Sequence, residues 1–179
     1  MSAPVRLFGY GSLVNAATHA HPVRPARLIG WRRVWREVEG RPWAILSARP
    51  APGNILDGVT MDVAPDDLPA LDLREALYRR RAGRIEDAAT GARLGAQLYV
   101  VTPHRPAARL PILRSYLDVV LAGYEEVFGP AAPAAFYADT DGWHLPLHDD
   151  RAAPHYPRAR AHPPDRLARF DALHRRATH

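Results

Sequence analysis

Val5-Arg6-Leu7-Phe8-Gly9-Tyr10-Gly11-Ser12-Leu13 is the stretch on which the reading of this chain turns. Val5–Phe8 has the apolar content of a short strand, and Gly9-Tyr10-Gly11 ends it. Two glycines there are expected to take positive φ and turn successive N–H groups toward one point. Such a nest binds a carboxylate, a phosphate or an oxyanion. The same residues also suit a tight turn in which Ser12 caps the next segment. The stretch is not a phosphate-binding Walker loop, because no lysine follows. It is not a serine nucleophile elbow, because the glycines flank Tyr10 and not Ser12.

Composition narrows the chemistry. The 179 residues fit one domain, with or without an appendage. Apolar residues at 47% and charged residues at 24% give an ordinary globular balance. No run of about 18 apolar residues occurs, so no membrane span is expected. Met1–Tyr10 lacks a basic stretch followed by an apolar one, so no signal peptide is expected and the protein reads as cytoplasmic. There is no Cys, which removes thiol nucleophiles, thiolate metal sites, iron–sulfur clusters and disulfides. All 24 basic residues are Arg, so Schiff-base and P-loop lysine chemistry are also excluded. The net charge of +5 invites a nucleic-acid reading, but the Arg residues run from Arg6 to Arg176 and mix with 19 acids. That pattern describes a solvated mixed surface better than a single basic face.

Further along, Ala26–Val38 and Trp43–Ala48 read as strands joined across Gly40-Arg41-Pro42. Arg49–Asn54 is a turn cluster, and Gly58–Val63 alternates as a strand. A short helix follows to about Glu75, with Asp66 as N-cap and Pro69 tolerated in its first turn. Tyr78–Glu86 and Leu94–Val101 form a strand pair around Asp87–Arg93. Pro111–Phe128 is the clearest helix, with Tyr116, Leu117, Val120 and Tyr124 at helical spacing and Gly129-Pro130 to stop it. Ala131–Asp141 adds a short helix, Trp143–Pro164 is a His/Pro/Asp-rich loop, and Asp165–Arg176 is a last amphipathic helix. Strands first and helices later give an α+β class. Residues 1–142 are expected to form one domain. Residues 143–179 are expected to be a His/Pro/Arg-rich extension, with a short terminal helix, packed on that domain.

A second constellation is Leu71-Asp72-Leu73-Arg74-Glu75-Ala76-Leu77-Tyr78. Glu75 falls at the end of the short helix, where the negative dipole end raises a carboxyl pKa, and an apolar site would raise it further. A carboxyl of that kind can take a proton and return it. Arg74 and Glu75 could equally be a surface pair.

Taken together, a strand entering FGYGSL, a G-V-T-M-D-V strand and then the LDxRE segment resemble the γ-glutamylcyclotransferase-like superfamily, in its ChaC-type and AIG2-like branches. The resemblance runs from Val5 to Val101. It implies a compact mixed β-barrel of about six strands with flanking helices. It implies that Tyr10, Gly11, Ser12 and Leu13 bind the α-carboxylate or α-amino end of a γ-glutamyl group. It makes Glu75 the general acid/base and places Tyr78 as a wall or hydrogen-bonding group. Many members carry a Gly between that Glu and Tyr, where this chain has Ala76-Leu77. The ChaC-type H-R-G-T and P-G-R-V signatures are absent, so the resemblance implies γ-glutamyl chemistry without implying glutathione specificity.

The implied function is release of 5-oxoproline from a γ-glutamyl amide or peptide, with the substrate's own α-amine as nucleophile. No cofactor, metal, nucleic acid or membrane is expected, and the oligomeric state is left open. A non-catalytic member of the fold, binding a small carboxylate or a protein, remains the alternative. His19/His21 and His144/His148 with Asp149 and Asp150 lie in loop-like text without a third ligand at fixed spacing, which argues against a metal. Arg79-Arg80-Arg81 reads as a solubilising strand, with a contact to an anionic substrate tail as its other reading. Trp31, Trp35 and Trp43 read as core. Tyr116 and Tyr124 also read as core, although either hydroxyl could reach the barrel mouth.

Overall fold

In chain order the strands are β1 (Val5–Gly9), β2 (Arg24–Arg36), β3 (Ile45–Val63), β4 (Arg79–Asp87), β5 (Arg93–Val100), β6 (Ile112–Leu113), β7 (Thr140–Asp141) and β8 (Leu147–His148). The helices are α1 (Leu68–Arg74), α2 (Arg114–Phe128), α3 (Ala132–Ala138) and α4 (Pro164–Thr178). This computed structural model describes residues 3–101 and 109–178.

β1 is bonded on both sides, antiparallel to β3 and parallel to β5. Hydrogen-bonded neighbours then run β3-β1-β5-β4-β2, and β2 returns to β3. Five strands therefore close into a barrel, which removes the edges of the sheet. β7 joins β2 as a sixth strand. The expected α+β mixed barrel is the fold observed. Leu7, Leu28, Leu56, Met61, Ile85 and Leu98 belong to the core, each with almost no exposed surface.

The reading of Arg49–Asn54 as a turn between two strands is corrected. β3 runs through it without a break as one strand, Ile45–Val63. The turn-forming residues mark an irregularity instead. Ile29 pairs with Ile55 and Trp31 with Pro50, so Gly30 alone faces Ala51–Asn54. Gly30 and Gly53 take φ of +80 and +85, which only glycine adopts without strain. Prolines that cannot donate to a ladder are tolerated at such a bulge.

Helix boundaries shift for identifiable reasons. Asp67, not Asp66, occupies the N-cap position of α1, without a side-chain cap bond, and Pro69 sits in its first turn. α2 begins at Arg114 and not at Pro111, because Ile112 and Leu113 pair with Leu147 and His148. Its cap comes from a distant loop. Asp150, 4% exposed, accepts the Ser115 N–H at 2.8 Å and the Ser115 hydroxyl at 2.5 Å. α2 ends at Gly129, φ +89, as the sequence predicts.

The segment after Trp143 is bound to this helix elsewhere too. Arg151 contacts Asp118 of α2 at 2.7 Å and Asp171 of α4 at 2.8 Å. Phe170 of α4 is buried in the core. Among the described residues, no helix is long and apolar enough to cross a membrane.

Asp150→Ala should destabilise the fold by about 1–2 kcal/mol at neutral pH, the cost of a lost helix cap with buried donors left unpaired. Burial acts to raise the Asp150 carboxyl, but bonds from Ser115 and His155 outweigh it and hold the carboxyl below its ordinary value. The stabilisation is therefore complete above the ordinary Asp range and is lost as pH falls through the lowered folded value. Urea melts of both proteins between neutral and acid pH should show the gap closing on the acid side.

Candidate active site

The bend after β1 is tight because of its neighbours. The expectation of positive φ at Gly9 and Gly11 is corrected: neither has it, and Gly11 lies at φ −125. What glycine supplies is room. A Cβ on Gly9 would stand 2.7 Å from Leu13 Cβ, and one on Gly11 would stand 2.7 Å from Tyr116 Oη. Ser12–Val14 then forms a single 3-10 turn. Among the described residues, no backbone carbonyl takes the N–H groups of Gly11, Ser12 or Leu13. The Ser12 amide instead approaches the Tyr116 hydroxyl.

Helix α2 fixes this bend from behind. Asn15 donates to the Val119 carbonyl at 2.9 Å, and Gly123 lets the Asn15 backbone approach where a Cβ would meet it at 2.7 Å. Tyr124 Oη lies 2.9 Å from the Tyr10 carbonyl. Both tyrosines of the helix thus reach the bend, Tyr116 on the cavity side and Tyr124 behind it.

Facing the bend is the end of α1. Glu75 is its C-cap residue, with its N–H donated to the Leu71 carbonyl at 2.9 Å. Tyr10, Gly11, Ser12, Leu13, Glu75 and Tyr78 all line one cavity of about 160 Å³. Every residue singled out from the two motifs is therefore brought to one place. The Glu75 side chain is only 15% exposed and lies 3.1 Å from Arg74 Nε. Arg74 also donates to the Thr18 carbonyl at 3.2 Å, which links α1 to the segment after the bend.

Burial raises the Glu75 carboxyl above its ordinary value, and the positive charges of Arg74 and Arg158 oppose the rise without cancelling it. The cause is desolvation, where the sequence pointed first to the helix dipole. Burial also lifts the phenols of Tyr10, Tyr78, Tyr99 and Tyr116, and the nearby Glu75 charge adds to each rise. All four remain protonated donors near neutral pH. Tyr78 donates to the Leu46 carbonyl at 3.1 Å, and Tyr10 to the Tyr99 carbonyl.

Several lining residues were not singled out in the sequence. From the sequence, Arg74 reads only as a surface partner of Glu75. Tyr99 looked like one more residue of an alternating strand. Tyr156 and Arg158 come from the loop before α4, where no local signal distinguishes them.

Other candidates lie elsewhere. A His19 ring nitrogen is 2.9 Å from the Leu13 carbonyl, His148 and His155 stack on Trp43, and Asp150 caps α2. Among the described residues, no group of three His, Asp or Glu is placed to hold a metal ion. Arg79, Arg80 and Arg81 are exposed along an open groove beside Tyr78 and Tyr99, and Arg80 meets Asp72 at 3.3 Å.

A sequence model of the family described as "Gamma-glutamyl cyclotransferase, AIG2-like" matches residues 7–117. No curated protein matches the chain. Among solved structures, a "Gamma-glutamyl cyclotransferase" superposes with a TM-score of 0.64 at 17% identity, covering 94% of this chain and 98% of the other. The uncharacterized protein loc79017 from Homo sapiens gives 0.65 at 17%, covering 95% and 99%. YkqA from Bacillus subtilis gives 0.65 at 20%, covering 82% of this chain and 57% of its own. At these identities the likeness is one of fold.

Two stability measurements test this geometry. Gly11→Ala should cost about 1–3 kcal/mol by overpacking, and Tyr116→Phe should relieve part of it. Urea melts of the four-protein cycle should give a coupling of about 0.5–3 kcal/mol, where independent sites would give none. Glu75→Gln should melt at a higher temperature than the parent at neutral pH. A raised folded pKa favours the neutral acid, so its stabilising contribution is complete below the ordinary Glu value and is lost as pH rises through the folded value. The advantage of Gln should therefore fade in acid.

Proposed function

This chain belongs to the gamma-glutamyl cyclotransferase, AIG2-like family, and from that premise we propose that its cavity closes a γ-glutamyl chain into 5-oxoproline. The observation that carries the reading is a desolvated carboxyl, Glu75, sharing a small cavity with the Gly11–Leu13 amides, which no backbone carbonyl takes among the described residues. The amides would take the α-carboxylate of the substrate, as a backbone nest does. Arg158 would add positive charge on the same side.

The substrate's α-nitrogen attacks its own γ-carbonyl carbon. It arrives as ammonium, and the Glu75 carboxylate removes a proton to free the lone pair. The N–C bond closes a five-membered ring through a tetrahedral intermediate. Protonated Glu75 then delivers its proton to the leaving nitrogen as the amide bond breaks. In total, two protons leave the attacking nitrogen and two reach the leaving amine, which departs as ammonium near neutral pH. The nucleophile belongs to the substrate, so the step needs no protein nucleophile and no cofactor. Holding the chain folded can supply roughly 7–11 kcal/mol of the barrier. Tyr116 would face the developing oxyanion with its protonated hydroxyl, while Tyr78, whose proton goes to the Leu46 carbonyl, walls the cavity beside it.

A second reading is a carboxylate-binding protein without turnover, which the cationic Arg74 and Arg158 beside Glu75 favour. Incubation with γ-glutamyl amides and assay for 5-oxoproline separates the two. Glu75→Gln should lower kcat by ~10²–10⁴-fold or more while leaving substrate affinity largely intact. Retained turnover would refute the role of Glu75. The acid limb of the parent's kcat profile should fall above the ordinary Glu value, because activity requires the ionised carboxyl and burial raises its pKa.

A further inference from the structure

A second cavity of about 400 Å³ adjoins the first, and the two share Leu46, Tyr78, Tyr116 and Tyr156 as walls. Its lining is mainly apolar, with Trp43, Leu77 and Leu113 prominent; Arg41 and His155 also line it, and no acid does among the described residues. We infer that it is the leaving-group subsite, shaped for a γ-glutamyl amide whose departing amine carries an aromatic or branched apolar side chain. This rests on the cyclotransferase reading for its chemistry, but the subsite itself is a binding claim.

Three observations select that occupant. Trp43 is held as a flat platform, with the rings of His148 and His155 stacked against it at 5.1 and 4.9 Å. Leu77 is 37% exposed, an apolar side chain at the cavity edge with its surface uncovered. The Tyr156 hydroxyl is buried on the shared wall with no hydrogen-bond partner among the described residues. A substrate amide crossing that wall would supply the partner, and its side chain would then lie against Trp43 and Leu77. The competing exit is the arginine-lined groove, which shares only Tyr78 and Tyr99 with the catalytic cavity. That exit would suit an acidic leaving amine.

The test is calorimetric binding to the Glu75→Gln protein, where turnover does not interfere. The probes are γ-glutamylbenzylamide, γ-glutamylmethylamide and γ-glutamylglutamate. The benzylamide should bind at least about tenfold more tightly than the methylamide. Adding Trp43→Ala should bring that ratio to within about threefold of unity, and adding Leu77→Asp, a change at an exposed turn, should also reduce it. Equal affinities, no binding of the benzylamide, or a ratio unmoved by both substitutions would overturn the subsite. Tightest binding of γ-glutamylglutamate would overturn the apolar preference. The preference without 5-oxoproline release by the parent protein would leave the subsite standing and sink the cyclotransferase reading.

Discussion

Helix α2 rests directly on the bend that follows β1, and the rest of the site is arranged around that contact. Gly11 leaves room for the Tyr116 hydroxyl, Gly123 leaves room for Asn15, and Tyr124 reaches the Tyr10 carbonyl. Interiors packed to this density do not yield by fractions of an ångström without cost. The contact therefore fixes the path of the bend and the amides it presents. It also explains how so tight a bend arises without left-handed backbone at either glycine. From behind, the buried Arg33 donates to Tyr124 Oη at 2.7 Å and to the Asp57 carbonyl at 3.0 Å, which holds the phenol in place. A buried guanidinium is costly unless its bonds are satisfied, so this network is sensitive to the loss of any member.

Electrostatically the cavity is a balance between desolvation and two cations. Burial alone would push Glu75 toward the neutral acid, while Arg74 and Arg158 pull it toward the carboxylate. The surrounding phenols contribute donors that stay protonated, because burial and the Glu75 charge both oppose their ionisation. The protonation of these groups is thus set by environment, with no chemically unusual side chain involved.

Much of this was legible in the chain. The barrel strands beside turn signals, the stop of α2 at Gly129 and the two motifs that meet in the cavity all carry local patterns. The β3 strand was not legible as one element, because prolines and glycines in Arg49–Asn54 mimic a turn. Only pairing with β2 shows that they fill a bulge. The start of α2 was misplaced for a similar reason, since a residue with helical spacing can still be claimed by a strand partner. Asp150 stands in the sequence only in a His/Asp cluster whose spacing argues against a metal, and its role as a cap depends on a loop returning to Ser115.

The sequence by itself determined the chemistry available: no thiol, no lysine, a glycine-flanked tyrosine near the start and an acid closing a short helix. Those are matters of residue identity and of spacing within one element, which local sterics express directly. Tertiary structure alone decided what surrounds that acid. Desolvation, the nearness of Arg158 and Tyr156, and the apolar chamber beside Trp43 arise between segments remote in the chain. Such contacts depend on how whole elements pack, and no short window of sequence encodes the distance between two surfaces that meet only after folding.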